Sequence, residues 1–392
     1  MNQNYETIFQ SASKIFDGWN DPDSGLRVLR VLPVGGARRD AAGRPFPLHT
    51  IYHQMPCFLD GGRRVLLRER GRQGGRCVMD LTRGEISYPF PDNAMPGEVC
   101  DATSLAVLHG RRGDRAEVSL WDIATGEVVN NHILPAGWGC NEAHILSDGR
   151  RAIVQQFIGR PYNENVRSQF YLLDVEGNCE QIFDADGFFC NHIQSCPTDA
   201  ELFSYDRWPS PKVPTEVIIH LRTLDGHFHE PLPQIEGTLR PGPHWGGQRD
   251  HYIWTPDGES IASYLMPGDS DSDDHYDFDW WLSVLNRRSG EDLCAQYPPD
   301  RWGCHFQASP DSRYLVSAGG RGFQCLYLID IEQLRDGWNE RVLCTYPHSE
   351  EDPHTSELFH FPFVLPDQSG VLFSAGWLGP EDGVFLVEWP RE

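Results

Sequence analysis

The sequence predicts an all-β fold, a seven-bladed β-propeller whose last blade is closed by a strand from near the N-terminus. Three features predict it: a turn signature that recurs seven times, a second strand and turn after each copy, and an alternating segment without a local partner. We consider repeats before any single element, because four-stranded propeller blades recur with a period of roughly 40 to 50 residues.

The turn signature consists of apolar residues, then Asp or Asp-Gly, then apolar residues. Its clearest copy is Trp254-Thr-Pro-Asp257-Gly258, followed by the apolar stretch 260–265. Proline fixes φ, aspartate caps the turn and glycine accepts a positive φ, so the stretch predicts two antiparallel strands joined by a tight turn. The other copies are centred on Asp60, Asp148, Asp311 and Asp367, with weaker ones at Asp101 and Asp199.

A second apolar strand follows each copy, and all but the last end in a further turn. Two hairpins per unit, with units roughly 40 to 58 residues apart, indicate one four-stranded blade per unit. These second strands lie at residues 78–80, 120–122, 172–174, 221–225, 284–286, 328–330 and 385–389.

The two ends of the chain predict how the ring closes. The last strand pair ends near Trp389, one strand short of a full blade, whereas residues 25–34 alternate apolar and polar side chains. Pairing them would remove a free sheet edge. We therefore predict a single domain over 1–392, with a lead-in at 1–24 that is polar or partly helical and a closing strand at 25–34.

Composition limits the partners. The formal net charge of −24 opposes binding to nucleic acid or to an anionic membrane, because either would need a basic stripe that is absent from the sequence. An anionic ligand must therefore be short enough to sit in one pocket. The acidic run 269–274 lacks the glycine and the terminal glutamate of a calcium loop, so it is interpreted as a solvated loop.

Cysteine usage and the N-terminus predict a cytoplasmic protein. The eleven cysteines are an odd number and contain no Cys-x-x-Cys pair, which is typical of a reducing compartment. The first residues have neither a basic start nor an apolar core, so no signal peptide is predicted. No apolar run is long enough to predict a membrane span. The sequence makes no prediction of oligomeric state.

Histidines recur in phase with the turns. Six of the seven units carry one shortly before the turn aspartate, on the strand predicted to be innermost, so we expect them to converge at the mouth of the central channel. Converging imidazoles suit a transition metal or a general base near neutral pH, whereas a lone histidine is more often structural. The spacing of His144 is out of phase and favours the structural interpretation. The six are His53, His144, His192, His251, His305 and His360.

Several motifs in this order resemble those of the oligogalacturonate lyases. These motifs are the stretch DPDSGLRVLR at 21–30, QMPCF at 54–58, Asn191-His192 with Pro197, DHYIWTPDG at 250–258 and CHFQASPD at 304–311. Members of that family are cytoplasmic seven-bladed propellers that cleave short pectin fragments by β-elimination with a bound manganese ion. The resemblance extends over almost the whole chain.

The resemblance implies roles for individual residues. His251 matches the catalytic base, with Arg249 beside it to hold a carboxylate, and the family's own arginine has no clear counterpart. Candidates for binding an acidic oligosaccharide are His192, Arg207, His53 and His220. A divalent metal, most naturally Mn²⁺, would bind His305, with Gln307 on the same strand face. The last blade departs from the family's Q-x-x-H-P-H-P stretch and offers His360, His354 and Glu357 instead.

Two other functions stay open. A non-catalytic propeller would use the same mouth to dock a protein or peptide. A hydrolase would need a nucleophile with a base or a pair of carboxylates, and the sequence contains no G-x-S-x-G motif.

Overall fold

A computed structural model gives the fold for most of the chain. It has seven antiparallel sheets arranged as the blades of a ring, so the predicted all-β propeller is confirmed. The residues that the structure describes are 6–52, 54–69, 75–91, 95–113, 115–136, 139–159, 166–208, 218–226, 228–229, 248–266, 281–299, 301, 305–319, 323–347, 361–375 and 383–391.

The N-terminal segment forms helix α1 (Ile8–Ala12) and strands β1 (Gly18–Asn20) and β2 (Arg27–Val31). The helix starts with a capping box, in which the Thr7 side chain accepts from the Gln10 amide and the Gln10 side chain accepts from the Thr7 amide. It is tied to the far end of the chain, because the Ile8 amide donates to Asp367 Oδ2 at 2.8 Å.

Blade 1 has an interrupted inner strand. Strands β3 (Leu48–Thr50) and β4 (Phe58–Leu59) both pair with β5 (Arg64–Glu69), which continues to β6 (Arg76–Asp80) and β7 (Glu85–Ser87). The segment between β3 and β4 leaves the sheet and carries Tyr52 and Gln54 into the centre of the ring. The sequence did not predict this break.

Blades 2 to 6 each contain four strands, ordered from the channel outward along the chain. Blade 2 consists of β8 (Met95–Cys100), β9 (Leu105–Arg112), β10 (Arg115–Asp122) and β11 (Glu127–Ala136), and blade 3 of β12 (Gly139–Ile145), β13 (Arg151–Ile158), β14 (Arg167–Asp174) and β15 (Cys179–Asp186). Blade 4 consists of β16 (Phe189–Cys196), β17 (Asp199–Trp208), β18 (Ile218–Thr223) and β19 (Phe228–His229), and blade 5 of β20 (Gln248–Trp254), β21 (Ser260–Met266), β22 (Trp281–Asn286) and β23 (Asp292–Gln296). Blade 6 consists of β24 (Phe306–Ala308), β25 (Tyr314–Gly319), β26 (Phe323–Asp330) and β27 (Arg341–Pro347), with a 3₁₀ helix at Glu332–Asp336 between its last two strands.

Blade 7 joins both ends of the chain. Its strands β28 (Phe363–Val364), β29 (Gly370–Ala375) and β30 (Gly383–Glu388) are followed in the sheet by β2 and then β1. Val28 pairs with Val387 and Val31 with Val384, so the predicted closure by an N-terminal strand is confirmed. The fifth strand, β1, was not predicted. Val28, Leu29 and Val31 are buried, and each contributes about 2 kcal/mol of hydrophobic stabilisation.

The predicted turns lie between the first two strands of each blade. Gly258 has φ +68°, as the turn chemistry requires, and an added Cβ there would lie 2.2 Å from Thr198 Oγ1. Ser312 and Gln368 take the same left-handed conformation in blades 6 and 7, at +59° and +53°. The aspartate therefore predicts the position of the turn, even in blades 6 and 7, where the residue after it is not glycine.

Apolar side chains pack between neighbouring blades. One cluster joins blades 4 and 5 through Ile219, Tyr252 and Trp254, and another joins blades 3 and 4 through Phe170 and Phe203. The nine cysteines whose side chains the structure describes are all free thiols. No helix in the described part of the chain has the length and apolar character needed to cross a membrane.

Candidate functional site

Two histidines occupy the same unusual backbone position in adjacent blades. His192 in β16 has φ +50° and His251 in β20 has φ +46°, and each sits at a β-bulge where the register with the next strand shifts. A left-handed conformation costs a non-glycine residue on the order of 1 kcal/mol, and such strain is found disproportionately at functional sites. A bulge also redirects the side chain that it carries. Both imidazoles are thereby turned toward the ring centre.

His192 lies between a carboxylate and a phenol. Its Nδ1 is 2.5 Å from Asp206 Oδ2, and its Nε2 is 2.9 Å from the Tyr52 hydroxyl. Asp206 is completely buried and His192 nearly so. Because a carboxylate accepts hydrogen bonds, it holds the proton on Nδ1 and leaves Nε2 of the neutral ring to accept from Tyr52.

His251 has a neutral partner. Its Nδ1 is 2.9 Å from the Tyr264 hydroxyl, and the two rings stack with centroids 5.4 Å apart. Asn191 pairs with Asp206 across blade 4, and Asp250 pairs with Tyr264 across blade 5, so Asp206 and Tyr264 are equivalent positions of the two blades. At this equivalent position the second strand places a carboxylate beside His192 in blade 4 and a hydroxyl beside His251 in blade 5.

Three of the predicted histidines come together at the mouth of the ring. The ring centroids of His192 and His251 are 4.8 Å apart, and those of His251 and His305 are 5.0 Å apart. Phe361 of the last blade packs edge-on against His305 at 4.8 Å and against Tyr52 at 5.2 Å. The cluster therefore draws on blades 1, 4, 5, 6 and 7.

A layer of amides supports this cluster. The side-chain amides of Gln54 and Gln194 both donate to the Tyr252 carbonyl, at 2.7 and 2.6 Å. The Tyr252 hydroxyl in turn donates to the His192 carbonyl at 2.5 Å. These bonds connect blades 1, 4 and 5 beneath the histidines, and they hold both bulges in place.

The predicted substrate ligands Arg207 and His220 lie elsewhere in blade 4. Side chains alternate along a strand, so Arg207 is on the opposite face from Asp206, and its guanidinium carbon lies 4.0 Å from the centroid of the Phe188 ring. His220 is buried and stacks on Tyr205 at 5.3 Å. Burial, assisted by the charge of Arg207, lowers the pKa of His220 to about 4, so this ring is neutral at pH 7. Neither contact joins these residues to the histidine cluster.

Several predicted site residues lie outside the described part of the chain. They are His53, His354, Glu357 and His360. Arg249 belongs to β20, where its backbone pairs with Leu265, and its side chain also lies outside the description. The proposed roles of these residues stay predictions.

His144 takes the structural place that its spacing suggested. Its Nδ1 lies 2.7 Å from Glu98 Oε2, and both side chains are buried. The pair links the inner strands of blades 2 and 3 deeper in the channel than the histidine cluster. Gln307 also lines the channel, two residues after His305 on the same strand face.

The described residues do not complete a metal site on their own. No group of three or more His, Cys, Asp or Glu side chains in this part of the chain is arranged to hold an ion. Of the five predicted ligands only His305 and Gln307 are described.

Sequence reasoning missed three members of the site: Tyr52, Asp206 and Tyr264. Tyr52 adjoins the predicted His53, and Asp206 is the only acidic residue of the stretch LFSYDRW at 202–208, which is a weak signal in the sequence. Tyr264 had no such signal, because its contact depends on the bulge at His251.

The fold resembles that of solved oligogalacturonate lyases. One, solved in complex with manganese, matches with a TM-score of 0.70 and 16% identity over 96% of both chains. Another, from Vibrio parahaemolyticus, gives 0.72 and 16% over 96% of this chain and 97% of that one. The hydrazine synthase of Kuenenia stuttgartiensis is less similar, with a TM-score of 0.53 and 12% identity over 90% and 97%.

These likenesses agree with the resemblance noted in the sequence, and at this identity they establish the fold. No protein-family model matches the chain. A search among curated protein sequences also finds no match.

Proposed function

We propose that this protein is a lyase that cleaves short uronate oligosaccharides by β-elimination, with oligogalacturonates as the first substrate class to test. The observation that carries the proposal is the pair of adjacent imidazoles, His192 and His251, held at 4.8 Å with different partners. The fold shared with the oligogalacturonate lyases supports the same choice.

The reaction needs a base and an acid close together. The base removes the proton on C5 of the uronate, the C–H electrons form the C4=C5 double bond, and the C4–O bond breaks. The leaving oxygen then takes up a proton. Two titratable groups in contrasting environments are the usual way in which a protein separates these roles.

His251 is the proposed base. Its Nδ1 is engaged by the uncharged Tyr264 hydroxyl, so Nε2 is the nitrogen assigned to the C5 proton. A phenol partner orients the ring without adding charge, which suits an imidazole that must begin the reaction neutral. A base of this kind accelerates a reaction by about 10²–10⁴-fold.

Tyr52 is the proposed proton donor, supplied by His192. The buried Asp206 carboxylate stabilises the protonated imidazole, which then donates to both Asp206 and Tyr52. In that state the Tyr52 hydrogen is available to the leaving oxygen, and the His192 proton replaces it. Proton transfer thus runs from His192 through Tyr52 to the product.

We keep the predicted divalent ion, Mn²⁺ first, as part of the proposal. When bound to the substrate carboxylate, such an ion withdraws charge and stabilises the developing enediolate. Elemental analysis of the purified protein tests it, with His305→Ala as the variant expected to lose metal and Glu176→Gln, an exposed change on blade 3, as the control. Equal metal content in wild type and His305→Ala would remove His305 from the ligand set.

The decisive experiment measures the ultraviolet absorbance of the unsaturated uronate product. Galacturonate dimers and trimers are tried first, then fragments that contain glucuronate or iduronate. The wild-type protein should produce the chromophore, and the double variant His251→Asn with Tyr52→Phe should not. If no uronate oligosaccharide gives the product with metal-loaded wild-type protein, the result favours the alternative in which the propeller is a non-catalytic binding protein.

A further inference from the structure

The central channel widens into a cavity below the histidine cluster. A cavity of about 500 Å³ is lined by residues from the inner strands of all seven blades. It begins at Gln54 and Gln194, whose amides bond the Tyr252 carbonyl, and none of His192, His251 and His305 lines it. The cavity is therefore distinct from the mouth at which we place the lyase site.

The far end of the cavity is formed by the turns that follow the inner strands. Its rim includes Asp101, Ser147 and a set of prolines that lie mostly exposed to solvent. Proline has a carbonyl but no N–H, so this rim offers acceptors rather than donors. The prolines are Pro56, Pro197, Pro256, Pro310 and Pro366.

Several hydrogen-bond donors of the wall are committed within the protein. Besides the two amides already named, the Ser195 hydroxyl donates to the Ile145 carbonyl at 2.9 Å and the Trp254 indole to Ser204 Oγ at 2.8 Å. His144 Nδ1 is held by Glu98 at 2.7 Å. A ligand would therefore have to bring its own donors.

Acceptors in the wall are less fully used. Gln54 is 5% exposed and lines the cavity, and its Oε1 has no hydrogen-bond partner among the described residues. The Glu98 carboxylate is paired with His144 Nδ1, which occupies only part of its acceptor capacity. An unsatisfied buried acceptor is destabilising, and a donor-bearing ligand would relieve this cost.

The rest of the wall is apolar and aromatic, with Phe58, Trp254 and Phe363 among its residues. A cavity of this size with a few placed polar groups is typical of a small-molecule site. The strongly negative protein concentrates cations around it, and aromatic faces attract them further.

We propose that this cavity binds an organic ammonium ion with an apolar body, whose N–H groups bond Gln54 Oε1 and the Glu98 carboxylate. This site is independent of the proposed lyase activity. It would be entered from the rim of prolines, on the face of the ring opposite the histidine cluster.

Calorimetric titration with phenethylammonium chloride tests the proposal, with 2-phenylethanol as the neutral analogue of the same shape. We expect the ammonium to bind wild-type protein at least about tenfold more tightly than the alcohol. Glu98→Gln should remove about tenfold or more of that affinity, whereas the exposed Glu176→Gln should leave it unchanged. Equal affinities for the two compounds, or a folded Glu98→Gln protein that binds as wild type does, would overturn the proposal.

Glu98→Gln disturbs the buried pair of Glu98 and His144, so a second variant is needed in case that protein does not fold. Ser147 is an exposed residue of the rim, so Ser147→Trp narrows the entrance without touching the core. It should weaken phenethylammonium binding about tenfold while the melting temperature stays at the wild-type value. Unchanged binding by Ser147→Trp would place the ligand outside the channel and refute the site.

Discussion

Blades 4 and 5 present a histidine on the same bulge and differ in the residue behind it. In blade 4 the partner of His192 is the buried Asp206, and in blade 5 the partner of His251 is the Tyr264 hydroxyl. The contrast continues one residue earlier: Tyr205 and His220 pair across blade 4, where blade 5 has Ser263 and Ser283.

The difference teaches that backbone geometry and proton role are set by separate parts of a blade. The bulge on the inner strand directs each imidazole to the mouth of the ring. The second strand then supplies either a negative charge, which stabilises a protonated ring, or a neutral phenol, which does not. One repeated scaffold can therefore place an acid beside a base, provided that its second strands diverge.

The largest expected effect comes from removing the base of blade 5. His251→Asn should lower turnover of the uronate substrate by about 10²–10⁴-fold, because the general base is lost. The melting temperature and metal content should stay close to wild type. Full activity of His251→Asn on an oligosaccharide that the wild type cleaves would remove this residue from the mechanism.

The second-largest effect distinguishes Asp206, the partner of His192, from Tyr264, the partner of His251. Asp206→Asn should lower turnover about 10²-fold, since an amide no longer stabilises the protonated His192 and permits the wrong tautomer. The alkaline limb of the pH–rate profile, on which the protonated donor is lost, should move to lower pH with it, a change that a purely structural role would not produce. A profile of unchanged shape in a folded Asp206→Asn protein would contradict the assigned role of blade 4.

A stability measurement tests the third strand of blade 4. The pKa of His220 is about 4 in the folded protein and near 6.5 in an unfolded chain, so the unfolded state binds more protons between these values. Stability is thus complete above about pH 6.5 and falls as the pH drops toward 4, by on the order of 3 kcal/mol.

Denaturant unfolding at pH 7 and pH 5 measures this loss. His220→Phe should reduce it, because phenylalanine can stack on Tyr205 and does not titrate. A part of the loss should remain, since burial also lowers the pKa of His109 to about 4. An identical pH dependence in wild type and His220→Phe would refute the attribution.

The smallest effect is expected from Tyr264→Phe in blade 5. The ring stack is kept and one neutral hydrogen bond is lost, so turnover should fall by less than about tenfold. If Tyr264→Phe costs as much as Asp206→Asn, the two partners are equivalent and the distinction between the blades fails.

The sequence predicted what local chemistry determines. Each turn aspartate marks its hairpin because the side chain caps the backbone within a few residues, and the closing strand at 25–34 was visible from its alternation. The phase of His192, His251 and His305 with those turns predicted a common end of the ring.

What the sequence did not predict depends on contacts between strands. The bulges at His192 and His251 change the register by their own backbone conformation, and only that change places Asp206 and Tyr264 behind the rings. Tyr52 reaches His192 because the inner strand of blade 1 is interrupted between β3 and β4. The turn signature of blade 1 is the same as in the other blades, so it does not predict this interruption. Arg207 and His220 were proposed in place of the arginine that the family uses, and their role as ligands stays a prediction. No local pattern in the sequence shows on which face of its strand either side chain lies.

The union of β2 with β30 in blade 7 has a consequence for how the chain matures. Strand β2 is synthesised long before β30, so it must wait with an unpaired edge until β30 has emerged. Contacts between such distant parts of a chain form slowly, and an open edge invites pairing with other molecules. Helix α1, whose Ile8 amide donates to Asp367 of the same blade, then holds the N-terminal segment against the closed ring. Rapid overproduction of this protein should therefore expose an aggregation-prone stage before β30 has been made, when blades 1 to 6 are complete and β2 still has no partner strand in blade 7.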